Sequence, residues 1–467
     1  MLFTFLRAAS RDWRRAPALH VVIGNEAADA DSCVGALVYA LHLARQGAAG
    51  RCVLPVISCA RAEFELRREA LVMLQRAAAV EAAPTAADAS AAAAGVLGAL
   101  TCLDDLAAQL PRLRELALAG SLAITLVDHN QLTGVLAGGE FAGAVCEIVD
   151  HHADAGAYPH VAGERRNISF DPATRRGVGS ACTLVAERLA GGAPALLTPA
   201  LAELLLGVIL LDTACLSEHA GKATPRDHAV AELLVRRVEA AASSRAAGPP
   251  PPDAGAPAPL PPQPAFDAAR LYAQLSSLRE DPAWWASLSP AQALAYDYKG
   301  FAHGPVRYGT GVLAVHATRF MRLPPAGAAA PTEDKLPGRL RPHALTVQAV
   351  LAFAQQRGLD FFVLLSRAPN GKRRAVLLYA GANPSSGFTE AHFAETVVQL
   401  KALPGAQLVD VPVEPPVASA ASVTGAVAAA LRTAAALKFG DHRVSRKQVV
   451  PMLGDALDAA LRRAARA

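Results

Sequence analysis

The first half of the chain alternates short β-branched runs with longer stretches rich in alanine and leucine. The apolar runs are HVVIG (20–24), RCVLPVI (51–57), GALTCL (98–103), AITLVD (123–128) and VCEIVD (145–150). Continuous apolar runs of this length are typical of strands buried on both faces of a parallel sheet. The segments between them, such as Cys33–Arg45 and Glu65–Ala79, have helical composition. The pattern therefore predicts β–α–β units, and hence an α/β domain whose parallel sheet carries helices on both faces.

A proline-rich segment interrupts this pattern. Residues 243–264 read SSRAAGPPPPDAGAPAPLPPQP, which is too rich in proline for a helix or a strand. We therefore expect an N-terminal domain (1–242), a linker (243–264) and a smaller C-terminal α/β domain (265–467). In the last of these we expect helices at LYAQLSSLRE and DPAWW. Strands are predicted at 310–317, 361–366 and 374–380, and a surface loop at 324–331.

Two apolar segments raise the question of a membrane or a targeting signal. Leu201–Leu216 is the most apolar stretch, but it contains Glu203 and Asp212 and is short for a span, so we expect a buried helix. The start, MLFTFLRAASRDWRR, is predicted to be a first helix. We expect a cytoplasmic protein. Because the arginines of this segment slightly resemble a transit peptide, mitochondria are the second choice.

Composition adds modest constraints. Of 467 residues, 52% are hydrophobic and 18% charged, which predicts a folded globular protein. The formal net charge of +4 suits a small anionic substrate and is too weak to indicate nucleic acid. Seven cysteines, an odd number without any C-x-x-C pair, predict buried thiols rather than disulfides or a zinc site. We expect no membrane and no nucleic-acid partner; the oligomeric state stays open.

Acids and histidines directly follow three of the predicted strands. They are Asn25, Asp29 and Asp31 in GNEAADADS, Asp128 with His129 and Asn130 in TLVDHN, and Asp150, His151 and His152 in EIVDHH. One aspartate at a strand end is usually a cap. Three strand ends that each deliver an acid favour a ligand site instead, because the carboxyl ends of parallel strands share one edge of the sheet. Carboxylate and imidazole are common ligands of Mg²⁺, Mn²⁺ and Zn²⁺. His129 we expect to be structural.

A fourth acid, Asp212, lies within the apolar run LLLGVILLDTACLS. A buried carboxylate without a partner is costly or becomes neutral. The position therefore predicts a cation near Asp212, in preference to a capping role.

In this order, the motifs GNEAADADS, LVDHN, IVDHH and ILLDT resemble the DHH phosphoesterase superfamily. The similarity is to the branch that contains exopolyphosphatases, prune-type proteins and the manganese-dependent family II inorganic pyrophosphatases. Supporting segments are LPVISCARAEFELRRE (54–69), GVGSACTLV (177–185) and GKATPRD (221–227). In the C-terminal domain, LAYDYKG (294–300) and VSRKQVVP (444–451) resemble that branch's substrate-binding motifs.

The resemblance implies two divalent ions, Mg²⁺ or Mn²⁺. One would be held by Asp29 and Asp128, with Asn25 at the position where the pyrophosphatases place a histidine. The other would be held by Asp31, Asp128, His151 and Asp212, so that Asp128 bridges both. The implied catalytic residues are Asp128, Asp150, His151 and His152, of which His152 faces the substrate phosphate and Asp150 supports the histidines. The implied clamp from the second domain is Lys299, Arg446 and Lys447.

The chemistry agrees with this assignment. Two ions roughly 3.5–4 Å apart can hold a hydroxide between them and clamp the attacking and leaving oxygens. Lysine and arginine stabilise the charge on the transferring phosphoryl group, and closure of the two domains is expected. The hard amide oxygen of Asn25 favours Mg²⁺. We therefore expect an exopolyphosphatase that hydrolyses the terminal phosphate of inorganic polyphosphate.

Three alternatives stay open at this point. Pyrophosphate is the second substrate choice. Slow hydrolysis of a cyclic nucleotide is a further reading, although the Gly-Gly-His-type motif of the nuclease-like branch does not occur. The last is a partner-binding protein with a vestigial site, as in prune-type proteins, but apart from Asn25 no expected metal ligand is missing.

Overall fold

The computed structural model describes residues 1–47, 50–82, 85–174, 176–246, 266–315, 317–322, 340, 342–367, 373–403, 408–413, 425–440 and 446–464. The chain divides into two compact units, Met1–Arg279 and Glu280–Ala467.

A parallel sheet forms the centre of the first unit, as the sequence predicts. Its strands are β1 (Leu19–Ile23), β2 (Cys52–Val56), β3 (Leu122–Val127), β4 (Val145–Asp150) and β5 (Arg166–Ile168). Their order is β2-β1-β3-β4-β5, and every neighbouring pair is parallel. The chain changes direction across the sheet between β1 and β3, the place where open α/β sheets bind ligands. A short antiparallel pair follows, β6 (Phe170–Asp171) and β7 (Arg176–Gly177).

Helices cover both faces of this sheet. They are α1 (Leu2–Asp12), α2 (Ala30–Arg45), α3 (Arg61–Phe64), α4 (Arg68–Ala82), α5 (Ala86–Ala94), α6 (Val96–Ala99), α7 (Leu103–Ala107), α8 (Leu110–Leu118), α9 (Ala181–Gly192), α10 (Pro199–Thr213), α11 (Pro225–Ala246) and α12 (Ala268–Glu280). Successive residues of β1 point to opposite faces, as the pleat requires. Val22 packs with α2, α4, α9 and α10, whereas Val21 and Ile23 pack with α7 and α8.

The apolar run around Asp212 forms the buried helix α10, as predicted. Thr198 caps its first turn by accepting a hydrogen bond from the backbone N–H of Leu201, and Pro199 occupies the first helical position. Within the described part of the chain, no helix combines the length and the hydropathy that crossing a membrane would require.

The prediction of a strand over GALTCL (98–103) is wrong. Helix α6 ends at Ala99, and Cys102 contributes only an isolated bridge to Ile57. The cause is local capping: the carboxylate of Asp105 accepts a hydrogen bond from the backbone N–H of Cys102, which starts α7 immediately afterwards.

The boundary between the units also differs from the prediction. Helix α11 continues to Ala246, over the first residues of the expected linker, and the rest of that linker (247–264) lies outside the described residues. Helix α12, expected in the second domain, packs within the first unit because Leu271 and Leu275 join its core. The apolar face of α12 determines that this helix belongs to the first unit, and the proline content of the preceding segment does not predict this.

The second unit contains a mixed sheet. Its strands are β8 (Tyr298–His303), β9 (Val306–Leu313), β10 (Phe361–Arg367), β11 (Arg373–Tyr379), β12 (Leu408–Val411) and β13 (Ala435–Phe439), in the order β12-β13-β11-β10-β9-β8. Only β9 and β10 are parallel among its described pairs. The three predicted strands correspond to β9, β10 and β11. The predicted surface loop at 324–331 lies outside the described residues.

The helices of the second unit complete an α/β arrangement. They are α13 (Pro282–Ser287), α14 (Pro290–Ala295), α15 (Ala317–Arg322), α16 (Ala344–Gln356), α17 (Glu390–Ala402), α18 (Gly425–Arg432) and α19 (Arg446–Ala464). In the core, the rings of Tyr308 and Phe361 stack with their centroids 4.9 Å apart.

Candidate metal centre

The acids and histidines singled out in the sequence meet at the carboxyl edge of the first unit's sheet. Asn25 follows β1, Asp128 follows β3, and Asp150 is the last residue of β4. Asp31 lies in the first turn of α2, and Asp212 in the last turn of α10.

Asp128 is the central residue of this group. Its backbone φ of 64° is left-handed, a conformation that an aspartate tolerates better than most side chains. Its Oδ2 accepts hydrogen bonds from Nδ2 of Asn25 at 2.6 Å and from Oγ of Ser32 at 2.7 Å. Its Oδ1 is buried, accepts no hydrogen bond from any described residue, and lies 3.1 Å from Nε2 of His151.

His151 presents its Nε2 to these carboxylates. Its Nδ1 lies 2.7 Å from the carbonyl oxygen of Val178, and because a carbonyl can only accept, Nδ1 carries the proton. In the neutral ring, Nε2 then holds a lone pair, 3.1 Å from Oδ1 of Asp128 and 3.6 Å from Oδ2 of Asp31. A backbone carbonyl that fixes one imidazole nitrogen is the usual support of a metal-binding histidine.

Asp31 is held by the start of α9. Its Oδ1 accepts from Oγ of Ser180 and from the backbone N–H of Cys182, and its Oδ2 accepts from the backbone N–H of Ala181. Burial raises the pKa of Asp31, and the negative charge of Asp128 raises it further, while His151 opposes the rise.

Asp212 adds a second carboxylate oxygen without a donor. Its Oδ2 is buried and makes no hydrogen bond within the described residues. Burial raises the pKa of Asp212 well above its ordinary value, and the charges of Asp31 and Asp29 add to the rise. The helix ends just beyond, in three left-handed residues, Ala214–Leu216, with φ of 54°, 61° and 57°.

These observations fit a divalent cation. The charges of Asp29, Asp31 and Asp128 all raise the pKa of Asp212, so these four acids lie close enough to repel one another. Two buried oxygens of this group, Oδ1 of Asp128 and Oδ2 of Asp212, have no hydrogen-bond donor among the described residues. The ligand atoms of Asp128, His151 and His152 lie within 4.8 Å of one another. Carboxylate with imidazole is the donor set of Mg²⁺, Mn²⁺ and related ions. A cation would remove the repulsion that the acids otherwise bear.

Comparison with known families agrees with the arrangement. Residues 20–209 match the N-terminal domain of the DHH family, and residues 285–456 match the DHHA2 domain. The chain belongs to the DHH superfamily.

Its named DHH relatives lie in the branch that the sequence resembles. Exopolyphosphatase PRUNE1 of Mus musculus is 36% identical over 231 residues, which are 49% of this chain and 42% of that protein. Exopolyphosphatase PRUNE1 of Homo sapiens is 34% identical over 216 residues, which are 46% of this chain and 41% of that protein. The matches thus span less than half of these relatives' own length.

A solved Methanococcus jannaschii protein of the family II inorganic pyrophosphatase type aligns over 94% of this chain and 99% of its own. The identity is 17% and the TM-score 0.48.

The DHH motif at the end of β4 contains a support for both histidines. Asp150 is fully buried; its Oδ1 accepts from the backbone N–H of His151 and from Nδ1 of His152, and its Oδ2 accepts from Nδ2 of Asn130. Burial would raise the pKa of Asp150, but the charge and hydrogen bond of His152 outweigh it and hold the pKa well below its ordinary range. Nδ1 of His129, the histidine expected to be structural, lies 3.0 Å from the carbonyl oxygen of Val127.

Asn25 uses its amide within the protein. Its Nδ2 donates to Asp128, and its Oδ1 accepts from the backbone N–H of Ala27 at 2.9 Å. The resemblance implies that Asn25 is a metal ligand, and this stays a prediction; in the structure its side chain donates to the carboxylate of Asp128.

Several supporting residues of the centre were not singled out from the sequence. Ser32 and Ser180 donate to ligand carboxylates. Asn130, which the sequence did single out, donates to Asp150. Asp227 joins GVGSACTLV to GKATPRD by accepting from Gly179, Thr183 and Thr224. Ser32 could have been found from its position directly after Asp31. Ser180 is 149 residues from Asp31, to which it donates, so sequence spacing alone does not reveal its role.

In the second unit, the two expected substrate-binding motifs of the DHHA2 domain meet. Arg446, at the start of α19, donates from Nη1 to the carbonyl oxygen of Asp297 at 3.0 Å and forms an ion pair with its carboxylate. Lys299 is half-buried in β8, two residues beyond Asp297. The side chain of Lys447 lies outside the described part of the structure.

Proposed function

We propose that this DHH protein is an exopolyphosphatase, a hydrolase that uses divalent metal ions to release the terminal phosphate of inorganic polyphosphate. The observation that carries the proposal is a pair of buried carboxylate oxygens, Oδ1 of Asp128 and Oδ2 of Asp212, that accept no hydrogen bond from the described residues; Nε2 of His151 lies 3.1 Å from the first of them. The names of the relatives support polyphosphate as the substrate class.

The residues fit two cation positions that share Asp128. Asp31, Asp128, His151 and Asp212 would hold one ion, and Asp29 with Asp128 would hold the other. Such ions supply Lewis-acid stabilisation of phosphate charge and an activated water. The protein's own contribution is a set of ligands whose orientation is fixed beforehand, by Ser32 for Asp128 and by Val178 for His151.

His152 is the residue we assign to the substrate phosphate. Its Nδ1 lies 2.8 Å from Oδ1 of Asp150, so the carboxylate orients the ring. The side chain of His152 is 28% exposed, whereas that of His151 is only 4% exposed. A protonated Nε2 on His152 would donate a charge-assisted hydrogen bond to a phosphate oxygen.

Asn25 we assign to positioning Asp128 rather than to binding metal directly. An amide at this position offers no imidazole nitrogen to a softer ion, so the proposed site favours Mg²⁺ over Mn²⁺. The preference for Mg²⁺ then no longer depends on the amide oxygen of Asn25 as a ligand, but on the absence of an imidazole at this position.

Lys299, Arg446 and Lys447 we assign to the anionic substrate chain. The ion pair with Asp297 fixes the guanidinium of Arg446, and a fixed guanidinium loses less entropy when it binds a phosphate. Charge at these positions would stabilise the transferring phosphoryl group.

The test is a matrix of metals and substrates. The purified chain is assayed with Mg²⁺, Mn²⁺ or Co²⁺ against pyrophosphate, triphosphate, long polyphosphate and a cyclic nucleotide. We expect the highest kcat/KM with Mg²⁺ and triphosphate or longer chains. Much faster cleavage of pyrophosphate would make the chain a pyrophosphatase. An absence of turnover for every combination of metal and substrate would favour a partner-binding protein with a vestigial site.

A further inference from the structure

A second cleft lies at the other edge of the first unit's sheet. Its volume is about 540 Å³, within the usual range of small-molecule sites. His20, Ala123 and Glu147 line it, from the first residues of β1, β3 and β4. The metal centre follows the last residues of the same strands. Strands of five or six residues separate the two sites by roughly 17–20 Å.

The walls of this cleft carry an excess of positive charge. Arg51, Arg165 and Arg188 line it together with one acid, Glu147. The carboxylate of Glu147 accepts a hydrogen bond from the hydroxyl of Tyr39 at 2.6 Å, and no described residue forms an ion pair with it. Arg51 and Arg188 each donate from Nη2 to a backbone carbonyl oxygen, of Gly120 and Glu164 respectively, and no hydrogen bond to a described residue uses the other guanidinium donors of the three arginines.

Two hydrogen-bond donors in the walls have no acceptor among the described residues. They are Nε of Arg51 and Nδ1 of His42, and both are buried. The amide Nε2 of Gln46 lies 3.0 Å from Nε2 of His42; because an amide nitrogen can only donate, the proton of the neutral ring is on Nδ1. A buried donor without an acceptor is costly, and here each belongs to a residue that lines an open cleft.

We propose that this cleft binds a small organic phosphate that carries a planar ring with hydrogen-bond acceptors, as nucleoside monophosphates do. The planar guanidinium of arginine matches the phosphate group. In the proposed complex a ring nitrogen or carbonyl oxygen of the ligand accepts from Nδ1 of His42, which is buried in the structure and has to become accessible on binding. The inference does not depend on the proposed polyphosphatase activity.

Two helices connect the cleft to the metal centre. Helix α2 carries Asp31 in its first turn and His42 in its last. Helix α9 binds Asp31 through its first residues, while Arg188 lies further along it, at the cleft. A ligand in the cleft thus contacts the far ends of the elements that position a predicted metal ligand, which is a physical route for coupling between the sites.

The test uses binding to the complete chain without divalent metal, so that the metal centre does not contribute. AMP is titrated in EDTA by calorimetry into wild-type protein, Gly143→Phe and Gly139→Phe. Gly143 lines the cleft, whereas Gly139 lies in the same 3₁₀ helix (Gly139–Ala144) outside it. A Cβ atom at either glycine meets open space, so both replacements fit the backbone.

We expect wild type and Gly139→Phe to bind AMP equally, and Gly143→Phe to bind at least tenfold more weakly. Arg188→Gln should lose binding by at least the same factor, and it carries the test if Gly143→Phe does not fold. The proposal is overturned if wild type does not bind AMP, or if Gly143→Phe and Arg188→Gln both bind AMP as tightly as wild type does. Equal affinity for inorganic phosphate alone would overturn the assignment of the ring.

Discussion

Nε2 of His151 lies 3.1 Å from Oδ1 of Asp128, an oxygen to which no described residue donates a hydrogen bond. The proton of His151 is on its other nitrogen, which bonds to Val178. Nε2 and this carboxylate oxygen therefore face each other in a buried place, where either a proton or a metal cation can lie between them. A divalent cation bound there would contact both atoms, and this relationship is the physical basis of the proposed metal centre.

Asp212→Asn should stabilise the metal-free protein and weaken metal binding. The variant removes a buried carboxyl group whose ionised form is disfavoured by burial and by the neighbouring acids, so we expect its unfolding free energy in EDTA to rise by on the order of 1–2 kcal/mol. Wild type should gain about 2.7 kcal/mol at a free Mg²⁺ concentration 100 times Kd, and the variant should gain much less. Urea unfolding with and without Mg²⁺ measures both. A variant that is destabilised in EDTA and still stabilised fully by Mg²⁺ would refute this role for Asp212.

Asn25→His should shift the metal preference. The imidazole adds a nitrogen donor at the edge of the site and removes the hydrogen bond from Asn25 to Asp128. We expect the ratio of kcat/KM with Mn²⁺ to that with Mg²⁺ to rise at least tenfold over wild type. An unchanged ratio would show that this position does not select the metal.

Arg446→Gln should impair turnover without affecting metal binding. Loss of the charge near the phosphates is expected to lower kcat/KM for polyphosphate by about 100-fold or more. Arg432→Gln is the matched control, because Arg432 is an exposed arginine of the same unit, 3.9 Å from Glu390. Similar activity of the two variants would remove Arg446 from the substrate clamp.

His20 should make stability depend on pH in the acidic range. Burial, with a smaller contribution from Arg51, lowers the pKa of His20 from 6.5 to about 4. The folded state resists protonation that the unfolded state accepts. The stabilisation is therefore complete above pH 6.5 and is lost as the pH falls towards 4, by at most about 3 kcal/mol.

Urea unfolding between pH 7.5 and 4.5 checks this prediction. His20→Gln should lose less stability than wild type as the pH falls, while His228→Gln, which replaces an exposed histidine, should follow wild type. Parallel curves for wild type and His20→Gln would contradict the prediction.

The sequence predicted much of the fold because the strands of the first sheet are continuous apolar runs with a clear end. The observed β1, β3 and β4 agree with the predicted runs to within one residue at either end. GALTCL failed because a side-chain cap from Asp105 outweighed its apolar character. The domain boundary failed because the packing of Leu271 and Leu275 is a tertiary effect.

The candidate site was predictable to the extent that its acids directly follow strands. The residues that orient those acids were not, since Ser180 and Val178 are distant in sequence from Asp31 and His151. The hydrogen bond from Asn25 to Asp128 required coordinates, because residue type alone does not distinguish a metal ligand from a hydrogen-bond donor to a neighbouring carboxylate.

The central claim is tested most directly by measuring phosphate release from polyphosphate and Mg²⁺ binding for wild type and Asp128→Ala. Asp128 is the only residue assigned to both ions, so we expect the variant to bind Mg²⁺ at least 100-fold more weakly. It should lose turnover and still unfold cooperatively in urea. Phosphate release at the wild-type rate by Asp128→Ala would contradict the account.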